Sequence, residues 1–281
     1  MSKILALIDG SVYAESVCRL SAWAASRMAL PVEVAHVIGR RMSGSFDLSG
    51  SLEFDQSAAL LDEYARLDAQ HAKLAQAKGR ALLDTAKTIV SAEGVQAETR
   101  LRNGDLLDAL ADLENDAAMV VIGKRGEAAD FAKLHLGSNL ERVVRSSTRP
   151  VLVAARKHGP VDRFLVAFDG GKSANRAVDF VTTSGLLKGM KATILSVGAD
   201  TTENRSRLDA PVRRLRESGF EVEGLLLPGD PDEVIGSHVE THGVGLLVMG
   251  AYGHSRIRSL VIGSTTEAMV RRCKIPVLMF R

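Results

Sequence analysis

At 281 residues the chain has room for two domains, each large enough to bury its own core. Apolar residues at 46% and charged residues at 25% are ordinary for a globular chain, and a net charge of +2 without a long Lys/Arg block excludes a basic nucleic-acid tail. Aromatic residues, at 4%, are too few for a platform that stacks single-stranded bases.

The chain opens on the apolar run Ile4-Leu5-Ala6-Leu7-Ile8, which stops at Asp9. That run is too short for a signal peptide or a membrane span, so no membrane insertion and a cytoplasmic location are expected. Cys18 and Cys273 lie in opposite halves without CxxC spacing and read as reduced, buried thiols. Trp23, set among Ala22, Ala24 and Ala25, reads as core of a first helix. A second strand follows Pro31 and includes Val34-Ala35-His36-Val37. The Gly/Ser-rich stretch 43–51 reads as a loop. Leu60, Tyr64, Leu67, His71, Leu74, Leu82, Ala86 and Ile89 then recur at three- and four-residue steps, the period of a long helix.

Next comes a β-rich run, Ala118-Met119-Val120-Val121-Ile122, that feeds Gly123-Lys124-Arg125-Gly126, ten residues, and Gly137-Ser138-Asn139. Val151-Leu152-Val153 follows Pro150, and the polar Lys157-His158-Gly159-Pro160 marks a boundary between units 1–157 and 158–281. In the second half, strands are predicted at 163–168, 191–197, 221–226, 246–249 and 277–280, with crossover helices over 173–187, 208–218 and 232–242. Its fourth strand feeds Gly250-Ala251-Tyr252-Gly253, nine residues, and Gly263-Ser264-Thr265-Thr266.

The halves are copies of one unit. Ile4 to Asp9 matches Phe164 to Asp169, and Val34 to Val37 matches Ile194 to Val197, both at an offset of 160. The glycine pairs match at 127, and Gly137-Ser138 matches Gly263-Ser264 at 126. The drop from 160 to 127 gives the first half about 33 extra residues between Gly39 and about Gly79. Continuously apolar strands alternating with helices imply an open α/β fold with a parallel sheet, whose ligand sits at the carboxyl ends of the strands. Asp9 and Asp169 then lie beside the glycines if strands one and four are neighbours.

Glycines directly after a strand let backbone approach a ligand, and a Gly-Ser pair opening a helix offers free N–H groups and a positive dipole end to phosphate. Plainer readings stand beside these: the aspartates cap helices, the glycines only make turns, and the insert is an elongated crossover helix rather than a lid, a partner surface or a pocket wall. Gly171-Lys172-Ser173 is not a phosphate loop, because Val166 stands where the earlier glycine is required. His238 and His242, four apart, are not joined by an HExxH pattern, since Val239 stands where its Glu is required, and Ser264 has no base beside it.

The strand ending in Asp, the His-Val of strand two and the Gly-x-x-Gly-x9-Gly-Ser spacing together make the chain similar to the universal stress protein family, in its tandem two-domain form. The resemblance covers the chain except roughly Gly39–Gly79. It implies two doubly wound Rossmann-like units of the adenine nucleotide alpha hydrolase type, each with a five-stranded parallel sheet, whose last strands pair with each other. It also implies ATP, with or without Mg, as the ligand. The aspartate and the backbone of the strand-two valine would lie at the adenine, the paired glycines under ribose and phosphates, and the Gly-Ser-Thr segment at phosphate oxygens. In the second half these are Asp169, Val197, Gly250, Gly253, Gly263, Ser264 and Thr265; in the first, Asp9, Val37, Gly123, Gly126, Gly137 and Ser138.

The first half departs from the pattern: its spacer has one extra residue, Asn139-Leu140 replaces Thr265-Thr266, and Glu127 and Asp130 would repel phosphate if they face it. The second spacer carries His254, Arg256 and Arg258 and no acid. ATP is therefore expected mainly in the second half. The expected role is a nucleotide-responsive stress regulator with at most slow ATP hydrolysis, an unknown protein partner and a possible further homodimer. The alternatives are a nucleotide-independent scaffold or ligand-binding module that uses the insert, and an adenylyl-transferring enzyme.

Overall fold

A computed structural model describes residues 2–39, 54–127, 138–157, 159–251 and 264–281, with the backbone alone for 54–61, 138, 264 and 265. The first half runs β1 (Lys3–Ile8), α1 (Ala14–Met28), β2 (Val32–Ile38), α2 (Phe54–Ala92), β3 (Ala97–Asn103), α3 (Leu106–Leu113), β4 (Ala117–Gly123), α4 (Ser138–Ser146) and β5 (Val151–Ala154). The second runs β6 (Arg163–Ala167), α5 (Lys172–Thr183), β7 (Lys191–Val197), α6 (Thr202–Glu217), β8 (Val222–Leu227), α7 (Pro231–Thr241), β9 (Leu246–Gly250), α8 (Ser264–Arg272) and β10 (Val277–Phe280).

All ten strands form one sheet in the order β3-β2-β1-β4-β5-β10-β9-β6-β7-β8. Within each half every pairing is parallel. The halves join through β5 and β10, which are antiparallel, with Leu152 opposite Leu278. Alternate side chains of the strands enter two cores, as the two-residue period of a strand requires. Ile4, Ala6, Phe164 and Val166 pack under α1, α2, α5 and α6. Leu5, Leu7, Leu165 and Leu247 pack under α3, α4, α7 and α8. Each core runs through both halves, so the two units share their interior.

Several elements differ from the sequence reading at their ends. Helix α6 starts at Thr202 rather than 208, because the Thr201 hydroxyl accepts the Asn204 N–H at 3.2 Å and caps a turn too polar to show a period. The long periodic segment is one continuous helix, α2, of 39 residues and about 58 Å. Among its described side chains, those anchored in the core are C-terminal: Leu83, Ala86 and Val90. The copies also align differently after the insert. Gly104 and Gly229 share φ +128 and precede the helix caps Asp105 and Asp230, an offset of 125. The insert is therefore 35 residues rather than 33, and the second half recovers two residues across α7, which has 11 residues against 8 in α3.

Candidate nucleotide site

In each half strand one lies beside strand four, so the aspartate loop and the glycine loop meet at the point where the strand order reverses. In the first half the contact is direct. One carboxylate oxygen of Asp9 accepts the Ser11 N–H at 3.0 Å, and the other accepts the Glu127 N–H at 3.0 Å. Asp9 thus closes its own turn and holds the far end of Gly123-Lys124-Arg125-Gly126. In the second half Asp169 closes the corresponding turn on the Gly171 N–H at 2.8 Å. Neither aspartate is the cap of the following helix: the cap positions are Tyr13 and Gly171. The capping reading is replaced by one in which these carboxylates shape the loops.

Strand two is tied to the same loop in both halves. His36 Nδ1 lies 2.9 Å from the Ile8 carbonyl, and the Ser196 hydroxyl donates to the Phe168 carbonyl at 2.7 Å. These residues occupy equivalent positions, one before Val37 and Val197, and they fix the strand-two end against the aspartate turn. In the sequence His36 figures only as part of the strand-two His-Val signature, without a structural role. The same two-chemistry pattern, a polar residue before the valine in each copy, was the available signal.

The glycines answer to packing as much as to a ligand. A Cβ on Gly123 would sit 2.6 Å from the Tyr13 Cβ, and one on Gly250 would sit 2.9 Å from the Ser173 Cβ and 3.3 Å from the Ala174 nitrogen. Both glycines let the helix after strand one, α1 or α5, start close to strand four. A Cβ on Gly126 would meet the Asp9 carboxylate at 2.8 Å. Gly137, Gly253 and Gly263 lie outside the described residues, as do Asp130, His254, Arg256 and Arg258. Ser138 opens α4, and Ser264 and Thr265 open α8, on their backbone positions.

A cavity of about 650 Å³ occupies the first half at these strand ends. Asp9, Val37, Gly123 and Gly126 line it, together with Arg125 and Asn139 of the same motif and with Tyr13, Arg102, Asp105 and Arg142, which the motif does not include. Asp105 caps α3 through the Leu107 N–H at 2.7 Å and pairs with Arg142 of α4 at 2.8 Å. The Arg142 guanidinium, aided by that N–H, holds the Asp105 carboxyl below its usual range. In the second half Ala268 stands at the position of Arg142, so this clasp belongs to the first half.

Two electrostatic expectations change. The Glu127 side chain does not line the cavity. It lies against Gly10 and receives the Lys78 ammonium of α2. The acid expected to repel phosphate is thus matched by a cation from the insert. The second change concerns Thr266 and Leu140. Thr266 is 3% exposed and donates to the Ala251 carbonyl at 3.1 Å, while Leu140 is 2% exposed and packs in the core. Their exchange alters an internal latch rather than a phosphate donor.

The family profile of the universal stress proteins matches residues 1–155 and 197–281. The chain belongs to the universal stress protein family. It is 37% identical over 287 residues to universal stress protein Slr1230 of Synechocystis sp., covering 100% of each chain. To universal stress protein Mb2019 of Mycobacterium bovis it is 25% identical over 245 residues, covering 78% of this chain and 75% of that one. A crystal structure of a universal stress protein from Archaeoglobus fulgidus matches it with a TM-score of 0.73 and 23% identity, over 99% of this chain and 98% of that one, a likeness of fold.

Among the described residues no three His, Cys, Asp or Glu side chains converge as a metal site. His238 and His242 instead stack on each other, with ring centroids 3.9 Å apart. Cys18 and Cys273 are free and buried, and burial pushes the Cys18 thiol up to about 12 and raises Cys273. No described helix is long and apolar enough to cross a membrane.

Proposed function

We propose that this universal stress protein is a nucleotide-responsive regulator that binds an adenine nucleotide, ATP above all, in units spanning 1–157 and 158–281. The cavity of about 650 Å³ carries the reading, because Asp9 and the paired glycines converge there at the strand ends. It has the size of a small-molecule site, and four aspartates and three arginines are among the residues that line it. Asp9 and Val37 would hold the base, and Gly123, Gly126 and the start of α4 the ribose and phosphates. In the second half Asp169, Val197, Gly250, Gly253, Gly263, Ser264 and Thr265 take the same parts. That half is the preferred ATP site, because its cradle keeps the Gly-Ser-Thr donors and a basic spacer. Any Mg would be carried by the phosphates. The output is conformational: an occupied cradle changes the mobility of its loop, and a partner reads that change.

Calorimetric titration of the full chain with ATP tests the assignment. The Gly263→Ala, Ser264→Ala double variant should lose the tighter binding event. Unchanged affinity would remove the second half from the reading.

A second reading rests on α2, whose residues 62–74 are all exposed, among them Leu67 and Leu74. It makes the insert the contact surface of a nucleotide-independent scaffold or ligand-binding module. Deleting 40–76 separates the two: lost partner binding with ATP binding intact favours the scaffold.

A further inference from the structure

Lys124 lies inside the first cradle, between Gly123 and Arg125, yet its side chain leaves the first half. It is 8% exposed, and its ammonium donates to the backbone carbonyl of Cys273 in the second half. Cys273 directly follows α8, and its own N–H closes the last turn on the Met269 carbonyl at 2.9 Å. The first residue of α8 is Ser264, which opens the second cradle. One nine-residue helix, about 14 Å long, therefore has the second cradle at its positive end and a lysine of the first cradle at its negative end.

Among the described residues this arrangement has no mirror image, although the backbone at the junction is two-fold symmetric. Ala251 stands at the position of Lys124 and carries no donor beyond its backbone. It is fully buried, gives its N–H to the Phe280 carbonyl at 2.7 Å and takes the Thr266 hydroxyl of α8 on its carbonyl. The C-terminal turn of α4 is met instead by Arg281, which donates to the Arg145 carbonyl at 2.6 Å and comes from the chain after β10. Among the described residues, only the first cradle thus sends a cation into the helix of the other. Burying an ammonium on a carbonyl is costly, and burial pushes Lys124 down to about 8. Packing alone would be served by an apolar residue.

We propose that Lys124 couples the two cradles through α8, so that occupancy of either changes the other. Resting on the nucleotide reading above, the coupling has a definite sign. An anion on the first turn of α8 strengthens the hold of its last carbonyl on Lys124, and Lys124 steadies the helix that receives the anion. By linkage the first cradle feels the second to the same factor.

The test compares full-length wild type with Lys124→Met, which keeps the stem and removes the donor, and with Lys124→Gln, which keeps a donor without the charge. Hydrogen exchange is followed without ligand, and calorimetry with ATP. In the Met variant, amides at 268–272 should exchange at least fivefold faster, those of α4 should hold, and ATP affinity at the second cradle should fall at least fivefold. The Gln variant should lie between. Unchanged exchange over 268–272 overturns the coupling, and an equal rise in α4 does so too, because it marks general loosening. If exchange over 268–272 rises as stated while wild type takes up no ATP, the coupling stands and the nucleotide reading falls. Should the Met variant fail to fold, the Gln variant decides by the same exchange criterion.

Discussion

Leu152 and Leu278 occupy the same position in their respective halves, 126 residues apart, and stand opposite each other in the antiparallel β5–β10 pair. A residue that pairs with its own counterpart marks a two-fold axis, so the duplicated units meet as an isologous pair does. Both side chains are 0% exposed and belong to the core that runs under α1 and α5. Either leucine changed to Ala should cost about 2–5 kcal/mol of stability in urea denaturation. Because the two are cross-strand neighbours, the double variant should depart from the sum by about 0.2–1 kcal/mol. Strict additivity would show that the junction does not bring these side chains together.

The bond from the Glu127 N–H to Asp9 predicts a selective loss. An amide has one acceptor oxygen where the carboxylate has two, so Asp9→Asn keeps either the Ser11 contact or the Glu127 contact. The variant should lose about 1 kcal/mol of stability, and the Glu127 amide should exchange several-fold faster while β1 is unaffected. Asp169→Asn has a single turn contact of this kind among the described residues and should cost less. Equal losses at the two sites would contradict the role given to Asp9 as the holder of the first cradle.

Glycine positions separate packing from ligand contact. Gly123→Ala drives a methyl into the Tyr13 Cβ, and Gly250→Ala drives one into the start of α5, so each should destabilise the unliganded chain by roughly 1–3 kcal/mol. Gly159→Ala, with nothing within 4 Å, should stay within about 0.5 kcal/mol of wild type. Thermal unfolding without ligand makes the comparison. If Gly123→Ala is as neutral as Gly159→Ala, the glycine serves the ligand alone.

Much of this was legible in the chain. The offset of 160 between Asp9 and Asp169 placed both aspartate turns, and continuous apolar runs such as Met119 to Ile122 announced a sheet covered on two faces, because only such strands tolerate no polar alternation. The family resemblance supplied the pairing of the last strands. What stayed hidden depends on side chains that meet across distance. Nothing in the spacing sets Lys124 apart until its carbonyl partner, 149 residues away, is placed beside it. Glu127 reads as a repellent acid until Lys78 arrives from the insert. Asp105 and Arg142 carry no spacing that predicts their clasp, and Thr266 looks like a phosphate donor until its burial is known. Periodicity reports which face of an element is covered; it is silent on which loop a long polar side chain reaches.

The buried ammonium of Lys124 gives a pH dependence of definite sign. In the fold it releases its proton near pH 8, against an ordinary value of 10.5, because burial disfavours the charged form. Below pH 8 folded and unfolded chains are both protonated here, and the fold bears the full cost of the buried charge. Between 8 and 10.5 the unfolded chain keeps the proton that the fold has lost, so stability rises with pH through that window and levels above it. At about 1.4 kcal/mol per pKa unit the gain is on the order of 3 kcal/mol. Other groups that titrate over the same range are common to wild type and Lys124→Met and cancel in the difference, apart from the Cys273 thiol, which feels the Lys124 charge; carrying Cys273→Ala in both proteins removes that contribution. Urea denaturation of both proteins at steps from pH 7 to about 10.5 should therefore show wild type gaining on the variant, with most of the gain above pH 8. A flat difference would mean that Lys124 keeps its proton in the fold, and that the Cys273 carbonyl at the end of α8 holds a full cation throughout.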